Sequence, residues 1–238
     1  MEERRSERRA ALLDTALELF GTGGYAATTI ADVCNTSGVT SRYFYEEFGE
    51  REQLLIAVYD RELQRCATAV VEAASVLDGP GPFTEAEIAI VTRERVGSFV
   101  HAVLDDPRVA RVLLLESGTT SSALERRRRE AHRTLALFVE GFVQHGDFVA
   151  RNWRIVSLSL VGAMIEVLTD WTLASRTARA PLDEVIDHLT EIVLFVRAGY
   201  LAVASPPLAK PKAKAKVKGT AKADGGGNGK KARKRSAS

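Results

Sequence analysis

The run Thr40-Ser41-Arg42-Tyr43 carries side chains that can recognise nucleic-acid bases. The guanidinium of Arg42 can donate two parallel hydrogen bonds to a guanine, a contact that contributes about 1–3 kcal/mol of discrimination against other bases. The ring of Tyr43 can contact a thymine methyl group or a phosphate. These contacts require the run to form the first turn of a helix that enters a major groove. The run is therefore a candidate base-reading surface if its neighbours build such a helix.

The residues around this run predict a tight turn followed by a short helix. Gly38 can adopt the positive φ that a turn between two helices requires, and Val39 is an apolar residue that can fix the next helix by burial. Thr40 or Ser41 can cap this helix, which is expected to end at Phe48. The residues expected to form the core between the short helices are Val33, Val39, Phe44 and Phe48.

Two more helices are predicted before the turn. Residues 7–20 place apolar side chains at helical spacing, and glycines at 21, 23 and 24 follow, as they do after helix ends. Thr28 and Thr29 are candidate caps for a helix over residues 30–35, with Asp32 in its first turn. Three short helices with a glycine turn between the last two form a helix-turn-helix.

The remainder of the chain also predicts helices. Their expected ranges are 50–77, 84–104, a helix beginning at Pro107, 121–144, 152–175 and 181–203. No segment shows the alternation of a strand, so the predicted fold is all-α. We expect a DNA-binding domain over residues 1–50, a helical ligand-binding and dimerisation domain over 51–204, and a disordered Lys-rich tail over 205–238.

Residues 28–54 closely resemble the TetR (tetracycline-repressor-like) family of transcriptional regulators. The shared pattern is a Thr-rich start, the Gly38-Val39 turn, a helix that ends in an aromatic run up to Phe48, and a polar link before Leu54. The resemblance implies a dimeric repressor that binds a pseudo-palindromic operator and is released by a small hydrophobic effector. It further implies that phosphate contacts come from Thr28, Thr29, Tyr45 and Arg51.

Two features depart from the family pattern. Lys or Gly often stands in the family where this chain has Ser41-Arg42, so the base preference is not transferred. Residues 1–50 hold five Arg and nine Asp or Glu, so phosphate affinity must come from local placement of cations. An arm at residues 4–9 is equally compatible with a solvated helical turn and with minor-groove contact. Glu46 and Glu47 are expected to point away from phosphates, because they would repel them.

The last two helices predict a dimer. Each carries apolar residues on two faces, and such a helix must be buried on both sides. Pairing of the two helices with their copies would form a four-helix bundle, and the alternative is a hairpin buried within one monomer. The expected interface residues are Leu160, Met164, Val167, Trp171, Leu189, Ile192 and Val196.

The effector site is weakly specified by the sequence. The candidate pocket residues are Phe99, Leu113, Phe138, Phe142 and Trp171, and an alternative reading makes them ordinary core. The four histidines are scattered without metal-ligand spacing, so neither a metal nor another cofactor is expected. The sequence contains no nucleophile elbow, phosphate-binding glycine loop or paired catalytic carboxylates, so an enzyme is not predicted.

Charge is distributed unevenly along the chain. Residues 210–238 carry nine Lys and two Arg against one Asp, a net charge of +10, which leaves about −8 on the rest of a chain whose total is +2. Such a tail attracts DNA through counterion release, so a sequence-indifferent architectural DNA-binding protein is an alternative function. A solvated extension is the simpler reading of the tail. Cys34 and Cys66, together with the absence of an apolar signal segment or an uninterrupted membrane span, predict a cytoplasmic protein with reduced thiols.

Overall fold

The computed structural model describes residues 2–73, 83–116, 122–143 and 153–202, and these residues form helices and no strand. The expectations for residues 74–82 and for the tail lie outside this part of the chain. The helices are α1 (Glu2–Thr22), α2 (Ile30–Ser37), α3 (Ser41–Phe48), α4 (Arg51–Glu72), α5 (Glu85–Leu104), α6 (Pro107–Ala110), a π-helical turn (Arg111–Leu115) that continues α6, α7 (Ser122–Val143), α8 (Trp153–Leu173) and α9 (Leu182–Ala202). The all-α fold with an N-terminal helix-turn-helix is therefore confirmed.

Local signals set the ends of α2 and α3. Thr29 caps α2 through a capping box, in which its hydroxyl accepts from the Asp32 amide and the Asp32 carboxylate accepts from the Thr29 amide. Gly38 has φ +70°, the left-handed conformation that ends α2 and starts the turn. The Thr40 side chain caps α3 by accepting a hydrogen bond from the Tyr43 amide. The turn and caps thus follow the sequence prediction.

The first helix is longer than the sequence predicted, because it starts at Glu2 rather than at Glu7. Two acidic residues in its first turn stabilise the positive end of the helix dipole. The predicted arm at residues 4–9 is therefore helical throughout.

Helix α1 is docked at its C-terminal end onto α6. A Cβ atom added at Gly21 would lie 2.3 Å from the Cβ of Arg108 and 2.6 Å from its Cα, so only glycine allows this approach. Arg108 also forms an ion pair with Glu18 of α1. One turn further, Arg111 donates to the carbonyl of Thr22 (3.3 Å). This docking joins the N-terminal helices to the remainder of one compact unit, residues 1–202.

The two cysteines are buried and unpaired, as the sequence predicted. Burial raises the pKa of the Cys66 thiol to about 12, so the thiol stays protonated and poorly reactive at neutral pH.

Helix α8 is long and apolar enough to meet the criteria for a membrane-spanning helix, although its interrupted apolar runs predicted that no segment would. Of its most apolar window, 22% is buried. These two criteria do not separate a bilayer span from a helix that packs against protein. Glu166 and Asp170 are exposed on α8, where a bilayer would penalise their charges.

Candidate nucleic-acid interface and ligand cavity

The outer face of α3 is polar and exposed. Ser41, Arg42, Tyr45 and Glu46 all lie in solvent, and the Arg42 side chain is 88% exposed. The Nε of Arg42 donates to the Glu46 carboxylate at 2.8 Å. This hydrogen bond raises the pKa of Arg42 above its ordinary value, so the guanidinium stays charged. The face can therefore present a fixed cation and hydroxyl groups to a polyanion.

Tyr43 does not belong to this face, and its predicted base-reading role is wrong. Only 8% of the residue is exposed. Its hydroxyl donates to the carbonyl of Arg5 at 2.9 Å, and the Arg8 guanidinium lies 4.1 Å from its ring centroid. Because α1 extends to Glu2, its first turns cover Tyr43. The residue instead fixes α1 against α3.

Glu47 strengthens the same contact between α1 and α3. Its carboxylate accepts hydrogen bonds from Arg5 at 2.9 Å and from Arg9 at 2.8 Å. Burial opposes ionisation of Glu47, but the two arginines outweigh it and lower the pKa of the carboxyl group. Glu47 therefore points away from the outer face, as predicted. Glu46 lies on that face, so the prediction that it points away was wrong.

The four residues expected to bind phosphate fall into two groups. Thr29 at the start of α2 and Tyr45 on α3 are exposed. Thr28 is 5% exposed and its hydroxyl donates to the Gly24 carbonyl at 2.9 Å, so burial removes it from a phosphate-binding role. Arg51 donates to the carbonyl of Thr28 and stacks 4.2 Å from the Tyr25 ring centroid. Arg51 thus ties the start of α4 to the start of α2.

A cavity of about 330 Å³ lies between the C-terminal helices. It is predominantly apolar and is bounded by Val70, Val71, Thr92, Arg95, Val96, Phe99, Leu135, Phe138, Val139, Leu160, Val161, Met164, Ile165 and Val193. Of the predicted pocket residues, Phe99 and Phe138 line it. The Phe142 side chain lies outside the described residues.

Two predicted pocket residues lie elsewhere. Leu113 is a core residue outside the cavity lining. The Trp171 indole donates to the Ala180 carbonyl at 2.8 Å and stacks with Arg179, so it packs against the connection between α8 and α9. The helical periodicity of the sequence did not indicate that α4 contributes Val70 and Val71 to the cavity lining, because these two residues form part of an ordinary apolar run. Nothing in that run indicates a cavity.

The predicted dimer residues are only partly exposed. Leu160 and Leu189 are 5% and 2% exposed, and Leu160 and Met164 line the cavity. These three side chains pack within the protomer, so their assignment to a dimer interface was wrong. Trp171 and Val196 are half-buried. Among the described residues of α8 and α9, the large apolar side chains that are exposed are Ile155, Leu158, Val167, Leu173, Ile192 and Phe195. Only Val167 and Ile192 of these were predicted.

Residues 12–58 match the family described as bacterial regulatory proteins, tetR family, and they span the second half of α1, all of α2 and α3 and the start of α4. The match covers 47 of the 238 residues, so it shows that this stretch of the chain is similar to the TetR family. A curated relative, the HTH-type transcriptional repressor ComR of Escherichia coli (strain K12), is 42% identical over 59 residues, which are 25% of this chain and 28% of ComR. The chain spans less than half the length of the curated relatives it matches.

Solved structures share the fold of this protein over most of the chain. The fatty acid degradation regulator FadR from Bacillus halodurans has a TM-score of 0.62 and 17% identity, over 79% of this chain and 94% of that one. FadR from Bacillus subtilis, solved in complex with stearoyl-CoA, has a TM-score of 0.61 and 16% identity, over 78% and 97%. Identities this low show the fold alone.

Proposed function

We propose that this chain is a sequence-specific, DNA-binding transcriptional repressor that acts as a dimer and is released from its operator by a small hydrophobic ligand. One observation carries the proposal: the first turn of α3 follows the left-handed Gly38 turn and presents Ser41 and Arg42 to solvent. The N-terminal residues of such a helix are the ones that meet base edges in a major groove. The exposed hydroxyl group of Tyr45 suits a phosphate contact, whereas the Thr29 hydroxyl already donates to the Asp32 carboxylate at 2.6 Å.

The exposed apolar faces of α8 and α9 support the dimer. Phe195 is 83% exposed and Ile155 is 63% exposed, which is unfavourable for large apolar side chains in water. Pairing of the two helices with a second copy would cover these residues around a twofold axis. A twofold protein reads two symmetric half-sites about one helical turn of DNA apart, so the operator is pseudo-palindromic.

The apolar cavity supports the ligand. A cavity of this kind binds an aliphatic or aromatic molecule. Such a molecule causes release of the DNA if it binds more tightly to a dimer conformation in which the two copies of α3 have a different spacing. The stearoyl-CoA found in the Bacillus subtilis FadR makes fatty acids and acyl thioesters the first compounds to test. The measurement is operator release, and a panel that leaves the DNA complex intact contradicts this part. We place the protein in the cytoplasm, where both operator and ligand occur.

Selection of bound sequences from a random DNA library tests the DNA-binding function. We expect the unmodified protein to enrich a pseudo-palindrome, and Arg42→Ala to relax the preference at one or two symmetric positions, because the lost contact contributes about 1–3 kcal/mol per base pair. Arg126→Ala is the matched control, since Arg126 is an exposed arginine on α7. A library that yields no motif contradicts the function, and a motif that survives Arg42→Ala unchanged removes Arg42 from base reading.

The basic tail supports an alternative, a sequence-indifferent DNA-binding protein. Deletion of residues 208–238 removes a net charge of +10. Under our proposal, selective binding survives the deletion, while the dependence of affinity on salt becomes shallower because fewer counterions are released. Gel-shift titrations at several salt concentrations measure both quantities. Loss of all DNA binding after the deletion favours the alternative.

A further inference from the structure

Glu46 places a negative charge on the face that the proposed function directs toward DNA. Its side chain is 57% exposed and lies one helical turn after Arg42. A carboxylate there repels phosphates and weakens sequence-independent binding. The neighbouring Glu47 avoids this repulsion because it binds Arg5 and Arg9 on the other side of α3. Glu46 therefore needs a different explanation.

The geometry of the Arg42–Glu46 pair separates the two ends of the guanidinium. The Glu46 carboxylate accepts from Nε of Arg42 at 2.8 Å, and within the described residues this is the hydrogen bond that Arg42 makes to protein. A guanidinium has five N–H donors in a rigid plane. With Nε occupied, the terminal nitrogens keep their N–H donors, and the pair at the far end of the guanidinium points away from Glu46. Two of these donors match the N7 and O6 acceptors of a guanine.

We infer that Glu46 is a positioning residue that determines specificity: it holds the Arg42 side chain through Nε so that the terminal nitrogens read a guanine. The inference rests on the proposed function, in which α3 enters the major groove. Glu46 also disfavours the competing state in which Arg42 binds a phosphate, since that state would bring the carboxylate close to the DNA backbone. Specificity therefore increases both by preorganising the correct contact and by penalising the wrong one.

The pair is not required for folding. Both side chains are exposed, and an exposed ion pair between residues four apart contributes little to stability. Removal of Glu46 therefore has separable effects on binding: affinity for unrelated DNA rises, because a negative charge is lost, while discrimination at the guanine falls. A residue with a purely structural role would lower both affinities together.

The test compares Glu46→Gln, Glu46→Ala and the control Glu7→Gln by selection from a random DNA library and by titration of selected and unrelated duplexes. Glu7 is an exposed residue of α1, so its replacement removes the same charge without touching Arg42. We expect Glu46→Ala to reduce the preference for G·C at the Arg42 positions by about twofold, the size of effect that an exposed ion pair at this spacing has. Glu46→Gln keeps an oxygen that can accept from Nε, so it should retain more of the preference than Glu46→Ala. Circular dichroism verifies that each variant is folded.

The double variant Arg42→Ala/Glu46→Ala completes the comparison. If Glu46 acts through Arg42, the double variant has the same preference as Arg42→Ala, because the effects of coupled residues do not add. The inference is overturned if the preference for G·C survives Glu46→Ala, or if Glu7→Gln loses the preference to the same extent. In either case the proposed function stands, because the unmodified protein still selects a motif. An additional loss in the double variant also overturns it, since Glu46 would then read a base directly. If the unmodified protein selects no motif, the proposed function fails and the inference falls with it.

Discussion

Replacement of Phe44 by Ala is expected to lower the free energy of unfolding by about 3–5 kcal/mol. Phe44 is fully buried, and its ring centroid lies 5.8 Å from that of Phe48 within the core shared by the N-terminal helices. Removal of the ring deletes buried apolar surface and leaves a cavity that the short helices cannot fill. Because typical domains are stable by only about 5–15 kcal/mol, α3 should lose its fixed position.

Tyr45→Ala is the matched control for Phe44→Ala. Tyr45 is the next residue of the same helix but is 55% exposed, and its ring contacts the Phe44 ring edge-on at 5.6 Å between centroids. We expect this variant to lose about 1 kcal/mol or less of stability and to bind DNA more weakly. Urea unfolding followed by circular dichroism gives the stabilities. Equal destabilisation by the two substitutions would contradict the burial of Phe44.

Replacement of Gly21 by Ala is expected to destabilise the protein by about 2 kcal/mol, although alanine ordinarily favours a helix. The new methyl group would lie 2.3 Å from the Cβ and 2.6 Å from the Cα of Arg108, so α1 and α6 must move apart. Displacement of the backbone also weakens the ion pair between Arg108 and Glu18.

Gly97→Ala provides the comparison for Gly21→Ala. Gly97 is also a helical glycine, but an added Cβ would meet Ile186 at 3.7 Å, an ordinary van der Waals contact. This variant should be as stable as the unmodified protein or more stable, by up to about 1 kcal/mol. Thermal and urea unfolding of the two variants side by side measure the difference. Similar stabilities would show that the close approach of α1 to α6 is unimportant.

Signals carried by single residues were predictable from the sequence. Gly38, Thr29 and Thr40 each act on backbone within a few residues, so the turn and both caps of the helix-turn-helix follow from their chemistry alone. The same reasoning identified Arg42 as the exposed cation of α3. These features depend on local geometry that no distant packing overrides.

Roles that depend on distant helices were not predictable. Tyr43 and Thr28 have polar side chains suited to DNA, but the first turns of α1 cover Tyr43, and the loop after α1 accepts the hydrogen bond of Thr28. On α8 the apolar residues surround the helix, so periodicity could not distinguish the buried Leu160 from the exposed Ile155. The cavity is formed by side chains of several helices, and its position follows only from their packing.

Helix α1 is held at both ends by different partners. Near its start, Arg5 and Arg9 bind Glu47 of α3, and near its end, Glu18 and Gly21 contact Arg108 of α6. A helix of 21 residues is a stiff rod about 30 Å long, and α1 contains no proline that would bend it. A displacement of α6 therefore cannot be absorbed along α1. It either moves α1 as a rigid body, which shifts α3 through Glu47, or it breaks the contact with Arg108 and leaves α3 in place.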